Sequence, residues 1–186
     1  MKYKFPLFFL FVWQLGISQE AEKSHRKPED PKPTYVKFDF SIPIIANEYW
    51  GESNPQTGGK YPLLLINGII CRTGIGSHHD KWIGLGINTG FDWKASECLV
   101  VVPVFGSLRI SPSVSKNARI NLETGFGRAM VISGNHLSGY FKKASLGIED
   151  EESGLGLYLE LCDYGFSRYQ DHNIGSFSIG ISYVMF

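Results

Sequence analysis

The chain has 186 residues, enough for one domain, and its 18 basic and 18 acidic side chains give a formal net charge of zero. That balance excludes a general nucleic-acid binder, which would carry a basic excess. Charged residues make up only 19%, below the soluble norm of about 25%, while glycine (21 residues) and aromatics (14%) are abundant.

The first stretch, "MKYKFPLFFLFVWQLGISQE", has the three parts of an export signal. Lys2 and Lys4 supply the positive end, Phe5 to Trp13 a short apolar run, and Gly16-Ile17-Ser18 a small-x-small cleavage site. The run is shorter than the roughly 20 apolar residues a membrane-spanning helix needs. A signal peptide over 1–18 is therefore expected. Residues 19–34 follow as a charged leader punctuated by Pro28, Pro31 and Pro33, without an apolar period. Export permits disulfides, yet Cys71, Cys98 and Cys162 are odd in number and match no zinc or redox spacing. They read as isolated small apolar residues.

From residue 35 to 186 the apolar period is two. In "YVKFDFSI", Val36, Phe38, Phe40 and Ile42 oppose Lys37, Asp39 and Ser41. "YPLLLINGIICRTG" is too continuously apolar to give its register and is taken as a strand. In "WIGLGINTGFDW", Ile83, Leu85, Ile87, Thr89 and Phe91 oppose Gly84, Gly86, Asn88, Gly90 and Asp92. "LVVVPVFGSLRI" has an apolar face of Val100, Val102, Val104, Leu108 and Ile110. "ARINLETGFG" sets Ile120, Leu122 and Phe126 against Arg119, Asn121 and Glu123, and "YFKKASLGI" offers Leu146 and Ile148. "GLGLYLELCDYG" sets Leu155, Leu157, Leu159 and Leu161 against Gly156, Tyr158, Glu160 and Cys162. Eight strands are predicted, near 35–46, 60–73, 82–92, 98–110, 118–128, 139–148, 154–165 and 175–186. Each approaches the 9–11 residues of a tilted transmembrane strand, and an even-numbered meander closes into an up-and-down barrel.

Alternation alone does not say which face points outward. A lipocalin-like soluble barrel holding a small apolar ligand would bury the apolar face; a membrane barrel turns it to lipid. The second face is rich in glycine, which weakens a surface strand but leaves room inside a narrow lumen. Arg109, Arg119, Glu123, Lys143 and Glu160 are expected to form a paired polar plug there, since unpaired buried charges are costly. The predicted class is all-β: an antiparallel up-and-down transmembrane β-barrel of about eight strands, monomeric.

The last strand, "SFSIGISYVMF", places Phe177, Ile179, Ile181, Tyr183 and Met185 on one face and Ser176, Ser178, Gly180 and Ser182 on the other. It resembles the C-terminal strand of bacterial outer-membrane barrels, with a tyrosine near its end and a final phenylalanine. That resemblance implies a strand read by the barrel assembly machinery, ending at Phe186. Phe186 is one residue out of phase with Tyr183, so a local bulge or direct interfacial anchoring is expected there. "KWIGLGINTGFDW" followed by "CLVVVPVFGSLRI" resembles the outer-membrane β-barrel family of the Bacteroidetes, in which a glycine-rich strand precedes an "x-P-V-F-x-x-x-R" strand. Val102, Pro103, Val104, Phe105 and Arg109 carry the likeness. The resemblance spans 35–186 and implies a Gram-negative outer-membrane location and lipid as a partner rather than an activity.

No G-x-S-x-G elbow, phosphate loop, H-E-x-x-H or calcium loop is present. His78-His79-Asp80 reads as a turn, because adjacent strand histidines face opposite ways. His136 and Ser138 share a face if extended, and lipid A deacylases carry an H-x-S pair on a barrel strand. Here the pair sits among turn residues, and Glu149 to Glu152 are expected at the opposite membrane edge, out of reach of a triad. No catalytic, cofactor-binding or metal-ligating residue is assigned. A membrane-embedded lipid A acyl hydrolase using His136 and Ser138 is the enzymatic alternative. Tyr61, Trp82, Trp93, Tyr140 and Tyr164 are expected in interfacial aromatic girdles. Segments 47–59, 93–97, 129–138 and 166–174 are expected outside the cell, and 74–81, 111–117 and 149–153 in the periplasm.

Overall fold

The structure is a computed structural model and describes residues 33–186 apart from 48, 54, 57, 134–136 and 167–173. The predicted signal peptide, nearly all of the leader and His136 lie outside the described residues. The strands are β1 (Thr34–Ala46), β2 (Leu64–Ile66), β3 (Gly68–His79), β4 (Ile83–Lys94), β5 (Leu99–Ile110), β6 (Ala118–Val131), β7 (Ser138–Asp150), β8 (Leu155–Asp163) and β9 (Gly175–Met185). All pairings are antiparallel, and β9 returns to β1 from Val36↔Met185 to Ile44↔Phe177. The sheet is closed. β2 pairs with β1 and continues the line of β3 across Asn67, so the barrel has eight staves.

The registers fix its size. Stepping sideways from Thr34 through Ser77, Leu85, Leu108, Thr124, Ala144, Leu161 and Phe177 returns to β1 at Ile44, ten residues from the start. A shear of ten over eight strands corresponds to a tilt of about 40° and a backbone radius of about 8 Å. A lumen that narrow is filled by side chains rather than by a water column.

One predicted strand differs. The segment 60–73 divides into β2 and the first half of β3, and β3 runs on to His79, so only Asp80 to Trp82 turn. Asp80 and Lys81 have positive φ (51° and 57°), and the Trp82 N–H donates to His79 O at 3.0 Å, as in a type I′ turn. The register between β1 and this stave slips by one residue between Ser41↔Ile70 and Ile44↔Ile66. The slip is a bulge at Gly68, whose φ is +129° and where a Cβ would lie 1.9 Å from the Trp93 carbonyl oxygen. That bulge breaks the alternation and explains why the run could not be phased from its sequence. Pro103 marks a second irregularity: the β4–β5 ladder omits the Gly90–Pro103 and Phe91–Val102 rungs, as a strand proline requires.

Facing follows the predicted apolar stripes. Leu157 is 67% exposed and its neighbour Tyr158 only 8%. Ile75, Leu85, Ile87, Phe126, Leu146 and Ile148 stand outward, whereas Lys37, Asp39, Arg72, Asp92, Glu123 and Lys143 are buried inside. This is the inverse of a water-soluble barrel, and an apolar girdle around a charged lumen is the transmembrane arrangement.

The inward glycines make room mainly for rings. A Cβ on Gly76 or Gly86 would lie 2.6 Å from the Tyr35 ring or hydroxyl, and one on Gly125 2.7 Å from the Phe105 ring. One on Gly180 would lie 2.7 Å from Tyr158. Among the described glycines, Gly90 alone makes room for a long charged side chain, that of Arg72. Gly125→Ala is accordingly expected to destabilise the barrel by roughly 1–3 kcal/mol, an overpacking cost, in a reversible bilayer-folding titration. Combining it with Phe105→Leu should recover part of that loss, because the two positions share one volume.

Candidate functional site

The described chemistry concentrates in the lumen, in three layers. In the middle layer Arg72 on β3 clamps Asp92 on β4: Nε donates to Oδ1 at 3.0 Å and Nη2 to Oδ2 at 2.7 Å. Its Nη1 donates to Glu160 Oε1 on β8 at 2.8 Å. Glu160 Oε2 lies 3.0 Å from Lys143 Nζ on β7, and that ammonium also stands 3.3 Å from Asp39 on β1 and 3.3 Å from Glu123 on β6. Lys37 closes the lattice, 2.8 Å from Asp39 and donating to Glu123. One continuous network thus ties six of the eight staves. Strand alternation places every member, since Lys37 and Asp39, or Glu160 and Cys162, are two apart and share the inward face.

The expected plug is corrected in its pairings. Glu123 and Glu160 do meet through Lys143, but Arg109 pairs with Glu149 and Arg119 with Glu151 near the 111–117 end. Glu149 was read as a rim residue, yet it is buried, because β7 continues through it to Asp150. Arg72 was not assigned to the plug, because the bulge at Gly68 hid the phase of β3; Asp92, phased inward on β4, was left out for want of that partner. The Glu151 carboxyl, in the turn after β7, is held below the usual range by the hydrogen bond from Arg119. Its contribution to stability is present above the ordinary carboxylate range and is lost as pH falls through the lowered value.

Toward the 95–98 end the lumen becomes apolar, which was not foreseen. Leu99, Val101, Phe105, Ala129, Val131, Phe141, Tyr164 and Phe166 form a buried cluster, with ring centroids 4.8 Å apart for Phe105 and Phe141 and 5.4 Å for Phe141 and Tyr164. Pattern reading missed it because "LVVVPVF" is apolar on both faces. Tyr164, expected in a girdle, is fully buried: its hydroxyl donates to Asp92 Oδ2 at 2.6 Å and its ring lies 4.6 Å from Lys94 Nζ. Trp82 and Trp93 are exposed as girdle residues should be. The Arg72 guanidinium lies 5.1 Å from the Phe141 centroid, so ionic and aromatic layers are in contact.

At the other mouth, the β1–β9 register continues unbroken to Met185, so no bulge rephases Phe186. Phe186 follows the inward parity instead of anchoring at the lipid interface. Its ring meets His78 edge-on at 4.9 Å and lies 4.9 Å from Lys81 Nζ. Cys162 also differs from its reading, since its thiol donates to Glu160 Oε1 at 3.2 Å within the ionic lattice. Cys98 lies exposed in a turn, and all three cysteines are free.

Ser138 opens β7 and is exposed; Glu149 lies at the far end of the same strand, and Glu151 and Glu152 in the turn that follows it. Those carboxylates are therefore out of hydrogen-bond reach of Ser138. Among the described residues no three His, Cys, Asp or Glu side chains are grouped to hold a metal.

Lumen and girdle together define a small transmembrane β-barrel. No family model matches the chain. A 77-residue stretch is 29% identical to ribosomal RNA small subunit methyltransferase H of Parabacteroides distasonis, covering 41% of this chain; the match spans only 22% of that protein. Among solved structures, the N-terminal β-barrel domain of Pseudomonas aeruginosa OprF shares 10% identity over 83% of this chain and 98% of that one, with a TM-score of 0.47. Ail, the attachment invasion locus protein of Yersinia pestis, shares 11% over 82% and 97%, with a TM-score of 0.39. AlkL in lipid bilayers shares 13% over 87% and 96%, also at 0.39. Likenesses this distant assign no activity; the barrel rests on its own registers.

Lys143 is the node of the lattice, facing three carboxylates. Lys143→Met should cost roughly 3–5 kcal/mol in a bilayer-folding titration, the penalty of leaving buried carboxylates without their cation. Replacing Lys143 and Glu160 together by apolar residues should cost less than the single change. Equal costs would show that the lattice does not act as a unit.

Proposed function

We propose that the chain is a non-enzymatic outer-membrane protein of a Gram-negative, Bacteroidetes-type envelope. In this reading it is exported by residues 1–18, carries a leader over 19–34, and serves a structural, adhesion or partner-docking role. The observation that carries the reading is the inverted barrel: a lipid-facing apolar girdle around a lumen whose charges, apart from Lys94 over the Tyr164 ring, are spent on one another. A lumen packed with paired ions and rings offers no solute path, and function then falls to the connections and to the bilayer-spanning body itself. The Bacteroidetes part of the reading rests on the sequence likeness of the "PVF" strand, in which Pro103 sits at the ladder break and Arg109 in a lumen ion pair.

The two longest connections, 47–63 and 164–174, lie at the same end of the barrel. Those at 47–63, 95–98, 132–137 and 164–174 share one end of the barrel; 80–82, 111–117 and 151–154 share the other with Pro33 and Phe186. Outer-membrane barrels carry short periplasmic turns and longer extracellular loops, and the shared end of the two longest connections supports an extracellular position for the first set. Tyr49 and Trp50 are exposed in the longest of these connections and are natural contacts for a partner.

Fractionation with a heat-dependent gel shift tests location and fold. A detergent-extracted, heat-modifiable species in the outer membrane is expected, and proteinase K, which needs no basic residue, should cut in "SRYQDHN" and spare "EDEESG" when added to intact cells. A soluble, folded product would overturn the reading. Reconstituted in planar bilayers, the protein should show no steady conductance; stable single-channel steps would contradict a sealed lumen. Unchanged lipid A acylation on expression of Ser138→Ala and wild type alike would remove the hydrolase alternative.

The C-terminal strand is proposed as the segment read by the assembly machinery. Deleting Phe186 removes ring contacts worth about 1 kcal/mol. A loss of folded outer-membrane protein well beyond that, shared by Tyr183→Ala, is the expected outcome. Wild-type yield of the deletion variant would show that Phe186 is not part of a signal.

A further inference from the structure

The outward surface of the strands is apolar over most of its height, but two cations interrupt it: Arg128 on β6 and Lys142 on β7. They share the outward parity of Phe126, Met130, Leu146 and Ile148. Arg128 is paired across the ladder with Tyr140, and Phe126 with Lys142, so the two cations are diagonal neighbours on one face. Lys142 stands eight residues up its tilted strand from Asp150, and Arg128 ten from Ala118. That is about 20–25 Å above the short-turn end, near the upper edge of an apolar band about 25 Å tall.

Against Arg128 lies a groove of about 790 Å³, lined by Val104, Phe126, Arg128, Ser138 and Tyr140, with Gly127 and Gly139 as a floor without side chains; Lys142 stands beyond it, opposite Phe126. Inside the barrel Lys37, Arg72, Arg109 and Lys143 all face carboxylates. Outside, no carboxylate of the described residues pairs with Arg128 or Lys142. The Lys142 ammonium lies 4.6 Å from the Tyr140 ring centroid. Asp163 stands directly opposite Lys142 across the β7–β8 ladder, but its carboxylate accepts from the Tyr140 hydroxyl at 2.9 Å and from the Gly165 N–H at 3.1 Å. With only Asp163 facing them, Arg128 and Lys142 leave one excess positive charge at the edge of the hydrocarbon, which favours a counter-charge at that depth. An outer-leaflet lipid phosphate is there, with acyl chains suited to the walls of Val104 and Phe126. Guanidinium binds phosphate in bidentate fashion, and ammonium adds a point charge.

We propose that Arg128, Lys142 and this groove form a binding site for the phosphorylated headgroup of an outer-leaflet glycolipid, whose acyl chain lies along Phe126 and Val104. The proposal rests on the outer-membrane reading above. The full-length mature chain is folded into nanodiscs, its fold verified by heat-dependent gel shift, and lipid capture is read by native mass spectrometry. The probes are bisphosphorylated lipid A, its dephosphorylated form and inorganic phosphate. Wild type should retain bisphosphorylated lipid A roughly tenfold better than Arg128→Gln/Lys142→Gln, as expected for loss of charge-assisted bonds. The dephosphorylated lipid should bind both alike, and Lys116→Gln, in the opposite 111–117 connection, should behave as wild type. Displacement by inorganic phosphate at equal concentration would point to a free-anion site and overturn the lipid assignment. Equal retention by inserted wild type and double variant would overturn the site alone. Failure of wild type to insert would overturn the outer-membrane reading and the site with it.

Discussion

Everything else in this molecule depends on one geometric constraint. Eight strands sheared by ten residues enclose a cylinder of about 8 Å radius, and every second side chain of every strand must end inside it. The sequence meets that constraint by pairing rings with glycines across the wall: Tyr35 over Gly76 and Gly86, Phe105 over Gly125, Tyr158 over Gly180. Each ring lies flat against a neighbouring stave instead of projecting to the axis. The axis is thereby left to Arg72, Glu160, Lys143 and Glu123, whose long side chains meet near the centre.

The ionic lattice has a consequence particular to a bilayer. In water, apolar burial distinguishes inside from outside; in hydrocarbon it does not, because lipid tails are as apolar as leucine. A barrel with two apolar faces would have no reason to prefer one orientation of its pleat. Buried ions supply the preference, since exposing any of them to lipid is costly. A buried salt bridge is weak evidence for stability in a soluble core. Here its value lies in facing: a one-residue slip of any stave would carry Arg72 or Glu160 into hydrocarbon. The aromatic layer at the long-connection end needs no such device, because the charged layer beneath it already fixes the phase.

Strand positions and facing were legible because alternation is a strong signal when one face contacts hydrocarbon, and "GLGLYLEL" or "SFSIGISYVM" can be phased by eye. Legibility failed where alternation itself failed. The bulge at Gly68 shifts parity inside an apolar run, which concealed Arg72 and with it the Arg72–Asp92 clamp. "LVVVPVF" is apolar on both faces for two different reasons, lipid on one side and the Phe105–Phe141 cluster on the other, and composition cannot separate them. Tyr164 lies just past the end of β8, where a girdle residue and a lumen cap look alike in sequence. Pairing partners were the least legible, because which acid meets which base depends on the shear, a property of all eight registers together.

The two mouths of the barrel are closed by different means, and the contrast bears on where a function can lie. At the short-turn mouth, Phe186 packs beside His78 and Tyr35, with the Arg109 guanidinium 5.8 Å from its ring and the Arg109–Glu149 pair beneath. That closure joins β1, β3, β5, β7 and the residue after β9, so it forms only when the sheet is complete. At the long-connection mouth the closure is the aromatic cluster and Lys94, and above it nothing in the wall constrains the length or composition of the connections. A body rigid by its registers and sealed at both ends can vary in only two places without disturbing its lattice. These are the connections above the aromatic cap and the outward side chains at the lipid boundary, where Arg128 and Lys142 stand.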